Sequence, residues 1–315
     1  MTILTLKSPK FGMSGEFRAV LRNPDESVAY DTGWGDNLIT DLGEIQFCVL
    51  DVNYPFSYCY IGNSATAAAV GQTAMPSFVA YSPSPTTSTP SSTNVGAPNY
   101  EKYTTKTWRF NAGVGTGTIQ DMGIGSTTNS VAGLFARHVL TSPVVKAANQ
   151  SLDVSYRFTL WPSLIESEVT GVLIGGVNYT CKTSIYNLTN NTGGDNFGVI
   201  TFKSGSTNYW TVYNGIKATP TGTAPSGTTA VMTGTFRSNY NQVGAQMDAL
   251  VFYPLNAGNT ANNIIRTATA RIDPGAFYLQ TEFTATDGPG IGDGIPKDLE
   301  RELTLNWRLN WGRRP

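Results

Sequence analysis

Apolar and polar residues alternate with a period of two along most of this chain, which is the signature of β-strands with one buried face. Phe17 to Arg22 reads FRAVLR, with Phe17, Ala19 and Leu21 on one face and Arg18, Val20 and Arg22 on the other. Leu152 to Leu160 reads LDVSYRFTL and places Leu152, Val154, Tyr156, Phe158 and Leu160 on a common face. Ile45 to Val52 is almost continuously apolar, which predicts a strand buried on both faces. Further strands are predicted over Lys106–Phe110, Val169–Ile174, Tyr179–Ser184, Val199–Phe202, Tyr209–Tyr213, Val231–Arg237, Ala249–Tyr253, Ala276–Thr284 and Leu303–Trp311. Turn-forming residues bound nearly all of them.

Helical signals are short, around Asp36–Leu42, where Asp36 caps and Gly43 terminates, and around Lys297–Arg301. No heptad pattern is present, which excludes a coiled-coil shaft. Gly71 to Asn99 is rich in Pro, Ser and Thr and cannot bury enough apolar surface to order alone. It reads as a long surface loop or arm, either a solvated connector or a segment that orders against a neighbouring subunit. Ala218 to Thr229 is a shorter loop of the same kind. One internal echo stands out: LDVSYRFTLWP from residue 152 and LTLNWRLNWGR from residue 303 are alike, as two related strands of one sandwich would be.

Composition sharpens this picture. Only 14% of the 315 residues are charged and the formal net charge is -1, against about 25% charged residues in ordinary globular proteins. Nothing here forms the basic face expected of a nucleic-acid binder or a polybasic membrane anchor, and low charge removes one obstacle to self-association. No apolar run approaches the ~18 residues of a membrane span. The N-terminal MTILTLKSPKFGMSGEF has no signal-peptide layout. Cys48, Cys59 and Cys181 lack C-x-x-C spacing and predict buried free thiols rather than a zinc cluster.

Candidate chemistry is sparse. His138 is the sole histidine, so any Ser/His/Asp or Cys/His mechanism must use it. It lies in LFARHVLTSP, which reads as an ordinary strand. Glu166 and Glu168 place two carboxylates two residues apart, a spacing that a glycosidase pair could meet and that a charged strand edge explains better. Gly113, Gly115 and Gly117 form GVGTGT, which is not G-x-G-x-x-G and reads as a glycine-rich hairpin. Asp287 to Asp293 (DGPGIGD) lacks the ligand spacing of a calcium loop. The sequons at Asn149, Asn178, Asn187 and Asn190 carry no weight without a secretory route. Tyr54, Phe56, Tyr58 and Tyr60 alternate, and Tyr209, Trp210 and Tyr213 cluster; each set is either a surface for contact or one face of a buried strand.

Several stretches, in order, resemble a widespread group of tailed-bacteriophage virion proteins labelled tail, tail-fibre or minor structural proteins. They are DTGWGDNLITDLG (31–43), YCYIGNSATAA (58–68), TWRFNAGVGTGTIQDMGIG (107–125), LFARHVL with LDVSYRFTLWP (134–140 and 152–162), EVTGVLIGGVNYTCKTSI (168–185) and IPKDLERELTLNWRLNWGR (295–313). The resemblance covers residue 31 to the C-terminus. Residues 1–30 and the Pro/Ser/Thr arm match less clearly. It implies a virion component made in the host bacterial cytoplasm and brings no catalytic residues with it.

The resulting expectation is an all-β, antiparallel, sandwich-like chain with long surface loops and little helix. It has an N-terminal portion over 1–165 and a second β portion over 166–315 whose terminal strand 303–311 closes the sheet, the two forming either separate portions or one continuous domain. The expected role is structural, as a tail, tail-tip, collar or fibre-attachment protein acting through a symmetric homo-oligomer and contacts with other virion proteins. Expected intersubunit contacts are Tyr81, Pro83, Pro85, Pro90, Arg313 and Arg314. The alternatives are a receptor-binding module that meets a host-surface glycan or protein through Tyr209, Trp210 and Tyr213, a capsid decoration protein, or, far behind, a polysaccharide depolymerase using Glu166. No cofactor, metal, nucleic-acid partner or membrane insertion is expected.

Overall fold

The computed structural model describes residues 3–47, 56–94, 100–128, 133–187, 201–202, 210–231, 236–239, 245–255, 259–260, 263–273, 277–287, 293–297 and 301–314. The chain is all-β, in one large sheet and two smaller ones. The nine-stranded sheet runs edge to edge as Phe236–Asn239 (β17), Gln246–Tyr253 (β18), Leu303–Arg313 (β23), Ile3–Arg22 (β1), Ser151–Trp161 (β11), Tyr100–Phe110 (β8) and Thr87–Asn94 (β7), with Val28–Asp31 (β2) and Gly35–Asp36 (β3) added on β1. A five-stranded sheet runs Leu38–Ile39 (β4), Leu134–Lys146 (β10), Gly117–Gly125 (β9), Tyr58–Gly62 (β5), Phe78–Ser82 (β6). A seven-stranded sheet runs Ser167–Ile174 (β12), Val177–Tyr186 (β13), Phe277–Ala285 (β21), Thr267–Asp273 (β20), Trp210–Tyr213 (β15), Thr229–Val231 (β16), with Thr201–Phe202 (β14) on β20. Ile264–Ile265 (β19) and Ile295–Pro296 (β22) form a small ladder. The large sheet takes strands from both sides of the 165/166 division, whereas each smaller sheet comes from one side only.

Period-two burial decides which face of the large sheet is covered. On β11 Leu152, Val154, Tyr156, Phe158 and Leu160 are all buried, as their alternation predicts. On β23 the buried set is Leu303, Leu305, Trp307, Leu309 and Trp311. These two strands carry the internal echo, and they flank β1 on opposite sides, β11 antiparallel and β23 parallel. Strand β1 hides its own alternation. Leu4, Leu6 and Ser8 are buried on one phase, Phe11, Met13 and Phe17 on the other, and a register shift between Lys7 and Lys10 joins them. The extra residue of a bulge returns both sets to one face and takes up Pro9, which a regular ladder position would not tolerate.

Both smaller sheets pack on that same face. Phe135 of β10 lies 5.8 Å from Phe158, and Phe56 lies 5.2 Å from Phe158 and 5.8 Å from Tyr156. Phe277 of the seven-stranded sheet lies 5.9 Å from Phe11. One apolar core runs through all three sheets.

Four expectations are corrected. Ile45, predicted in a buried strand, lies in a helix over Asp41–Gln46 (α1); residues 48–52 of that run, Cys48 included, lie outside the described residues. Thr40 caps this helix rather than Asp36, its hydroxyl accepting from the Gly43 amide at 2.9 Å, with Asp41 and Glu44 favourably placed in the first turn. The glycine-rich turn after β8 is not a hairpin, because β8 belongs to the large sheet and β9 to the five-stranded one. Gly113, Gly115 and Gly117 take positive φ there to carry the chain between layers. Strand β23 covers no edge; it is internal, paired to β1 and β18. The predicted helix near Lys297–Arg301 falls largely outside the described residues, and neither Lys297 nor Arg301 is helical.

Candidate functional site

The Pro/Ser/Thr arm is more ordered than its composition predicts. It supplies β6, the edge of the five-stranded sheet, and β7, the edge of the large sheet. Strand β7 orders because its backbone pairs with β8 from Thr87↔Thr107 to Asn94↔Tyr100, so main-chain hydrogen bonds replace the apolar burial that the segment lacks. Pro90 sits opposite Thr104, a position open to proline only on an edge strand. The two edges are neighbours, since the Ser82 hydroxyl at the end of β6 donates to the Arg109 carbonyl of β8 at 3.2 Å.

These edges lack charged protection, and Pro90 on β7 blunts that edge only locally. No Asp, Glu, Lys, Arg or His lies between Asp51 and Glu101. Strand β6 exposes Phe78, Val79 and Tyr81, each about two-fifths accessible. Tyr81 packs edge-on to Tyr58 at 5.7 Å and Phe78 to Tyr60 at 6.2 Å. Pro83 is exposed and Pro85 half-buried in the turn between the two edges. Exposed sheet edges are normally blunted by charge, because unpaired N–H and C=O groups template further pairing.

The remaining interface candidates behave differently. Arg313 is bound within the chain, Nη2 donating to Asp41 Oδ1 at 2.6 Å, Nε 3.2 Å from Glu44 and Nη1 donating to the Ile39 carbonyl at 3.0 Å. It ties β23 to α1 and remains part-exposed. Arg314 is exposed, its guanidinium 3.6 Å above the Trp161 ring. The proposed receptor aromatics are also corrected. Trp210 and Tyr213 are 2% and 8% exposed in β15, so they are core and offer no surface; Tyr209 lies outside the described residues.

The catalytic candidates do not converge. His138 is half-buried, stacked on Phe17, with Nδ1 2.6 Å from the Asp36 carbonyl. Gly35 lies beside it, and a Cβ there would come within 2.5 Å of the imidazole, which would have to shift. Glu166 pairs with Lys217, and Glu168 pairs with Lys182 at 3.6 Å. The two carboxylates therefore serve separate surface pairs. Asp287 accepts from the Asn178 amide at 2.8 Å and Asp293 pairs with Arg266 at 2.9 Å, so both ends of the glycine loop hold structure; residues 288–292 lie outside the described residues. Among the described residues no group of three His, Cys, Asp or Glu side chains is placed to hold a metal ion. Cys59 and Cys181 are buried free thiols; burial raises both, Cys181 to about 12.

A second surface was not foreseen. The outer face of the large sheet is polar and laddered with charge. Arg22 and Arg109 both bond Asp153, at 2.6 and 2.7 Å, and Arg308 bonds Asp248 at 2.8 Å. Burial works to raise the Asp153 carboxyl, yet the two guanidiniums together hold it below its ordinary value. At one end this face opens into a cleft of about 610 Å³, floored by β1, β11 and β8. Trp161 lies across the floor, its indole N–H donating to Ser14 Oγ at 2.8 Å. Arg157 pairs with Glu16 at 3.2 Å and stacks 4.4 Å from the Trp34 ring. Among the described residues Glu101, on β8, makes no ion pair, and its carboxyl is raised by burial and by Glu16, against Arg157 and Arg314. The sequence signal for this site was alternation on the polar phase of the strands, which a search for apolar faces passes over.

No protein-family model, curated protein or solved structure matches this chain.

Proposed function

We propose that this chain is a structural component of a tailed-phage virion, one that assembles with copies of itself through the paired edges β6 and β7. The observation that carries the assembly reading is the uncharged double edge, with Phe78, Val79 and Tyr81 exposed beside the unpaired side of β7. An edge without charge is self-compatible, because a second copy meets no like charge and finds unpaired backbone groups to bond. The ordered motifs that resemble phage virion proteins support the location, and the scattered pairing of His138, Glu166 and Glu168 favours contact over catalysis.

Deleting the arm would remove two strands, so a point change is the cleaner probe. Val79→Lys places a charge on the β6 edge without touching the core. Sedimentation at ~10 µM is expected to show the wild-type chain as an oligomer and Val79→Lys as a folded monomer with an unchanged far-UV circular dichroism spectrum, its thermal midpoint no longer dependent on concentration. A monomeric wild-type chain would refute the assembly reading. Immunogold labelling of particles from the phage that encodes it tests the location, and unlabelled particles would refute that.

A further inference from the structure

We infer that the cleft on the outer face of the large sheet is a binding site for a neutral saccharide, with Trp161 as its platform and Glu101, Asp36 and Glu16 as its hydroxyl acceptors. This goes beyond the assembly reading and stands or falls separately from it.

The contrast with the rest of that face carries the argument. Elsewhere the arginines are matched to carboxylates: Arg18 to Asp31, Arg22 and Arg109 to Asp153, Arg308 to Asp248. Around the cleft Glu16 pairs with Arg157, but among the described residues Glu101 and Asp36 make no ion pair, and Arg314 stacks on an indole ring. Charged ends that would be neutralised on an ordinary solvated sheet here line an open concavity. Its volume falls within the roughly 300–1,000 Å³ of small-molecule sites.

The lining chemistry selects the ligand class. Three carboxylates, Glu16, Asp36 and Glu101, face two guanidiniums, Arg157 and Arg314. The balance is slightly negative, which disfavours phosphate, sulfate and acidic sugars. Sugar hydroxyls donate and accept at once, and the cleft offers both partners: the carboxylates of Glu16, Asp36 and Glu101 accept, and the guanidiniums of Arg157 and Arg314 donate. The indole supplies a flat apolar surface for the C–H face of a pyranose, with its N–H fixed on Ser14 so that the ring is held before a ligand arrives. Arg314 covers that ring now, and a bound sugar would take its place on the stack.

The test uses the whole chain and four soluble neutral probes: maltotetraose, cellotetraose, chitotetraose and an α-linked mannotetraose. Saturation-transfer NMR and tryptophan fluorescence titration are expected to detect at least one, with Kd ~1 mM or tighter. Glu101→Gln and Trp161→Ala are each expected to weaken that binding at least tenfold. Glu101→Gln keeps the shape of a surface side chain and so stays informative if Trp161→Ala lowers stability. Failure of all four probes to bind, binding that survives Glu101→Gln, or preference for a uronic-acid tetrasaccharide would overturn the proposal.

Discussion

The two sheets that cover the large one keep their polar interiors in different ways. The five-stranded sheet concentrates its polarity in one charged unit. Arg137 and Asp121 are both fully buried and bonded at 2.8 Å; the guanidinium also reaches the Ser64 carbonyl at 3.2 Å and Gln72 at 3.3 Å, and Asp121 accepts from the Ser64 amide at 3.1 Å. The seven-stranded sheet spreads its polarity over neutral bonds. Thr183 and Thr281 share a hydrogen bond at 2.7 Å, Thr269 donates to the Thr211 carbonyl at 3.0 Å, and Gln280 holds both backbone groups of Ala218 at 2.7 Å. The charged unit locks the 64–72 loop onto its sheet through a few indispensable atoms, while the neutral network can lose one member and keep the rest.

The steepest test is Arg137→Met, which strands a buried carboxylate and is expected to lower stability by about 3–5 kcal/mol in urea unfolding. The double change Arg137→Met with Asp121→Leu should recover most of that loss. If the single change is mild, the charged unit is not what holds this sheet. A second test reads the seam with the seven-stranded sheet. Lys102 lies 4.2 Å over the Phe277 ring, and burial, with the like charge of Arg271, lowers its amine from 10.5 to about 8. At this amine the unfolded chain holds more protons than the folded one between those values, so the Lys102 contribution to stability should rise as pH climbs from about 8 to 10.5. The buried thiols of Cys59 and Cys181, raised in the folded chain, act in the opposite sense over the alkaline part of that range. The Lys102 contribution is on the order of 3 kcal/mol, and it is read as the pH-dependent part of the stability difference between the wild-type chain and Lys102→Met in urea unfolding.

Smaller effects separate the networks further. Thr183→Val is expected to cost about 1–3 kcal/mol by leaving Thr281 unpartnered, and adding Thr281→Val should cost less than the sum of the two single changes in a double-mutant cycle. Glu168→Gln removes an exposed pair with Lys182 and should change stability by less than about 1 kcal/mol in urea unfolding. A large loss there would mean that surface pairing contributes more to the seven-stranded sheet than its geometry indicates.

Much of the fold was legible because a half-buried strand writes its alternation into the sequence, as Leu152 to Leu160 shows. The unread parts have physical causes. Strand β1 was legible only from Phe17 onward, since the bulge at Pro9 inverts the phase of its apolar residues. Strand β7 carries no apolar pattern because it is held by backbone pairing. Ile45 to Phe47 reads as strand by hydropathy but is claimed for a helix by the Thr40 cap. Tyr81, Pro83, Pro85 and Pro90 fall at the double edge, whereas Trp210 and Tyr213 are aromatics of an interior strand. The cleft was invisible because its residues come from three strands far apart in sequence, each on the polar phase.

The parallel ladder between β1 and β23 has a mechanical consequence. Ile3 pairs with Thr304 at one end and Met13 with Arg313 at the other. Tension applied between Ile3 and Arg313 therefore slides the two strands past each other, loading their cross-strand bonds together instead of peeling them in turn. Rupture then follows the unfolding rate of the whole ladder, so this pair of strands is strongest when loaded from Ile3 against Arg313.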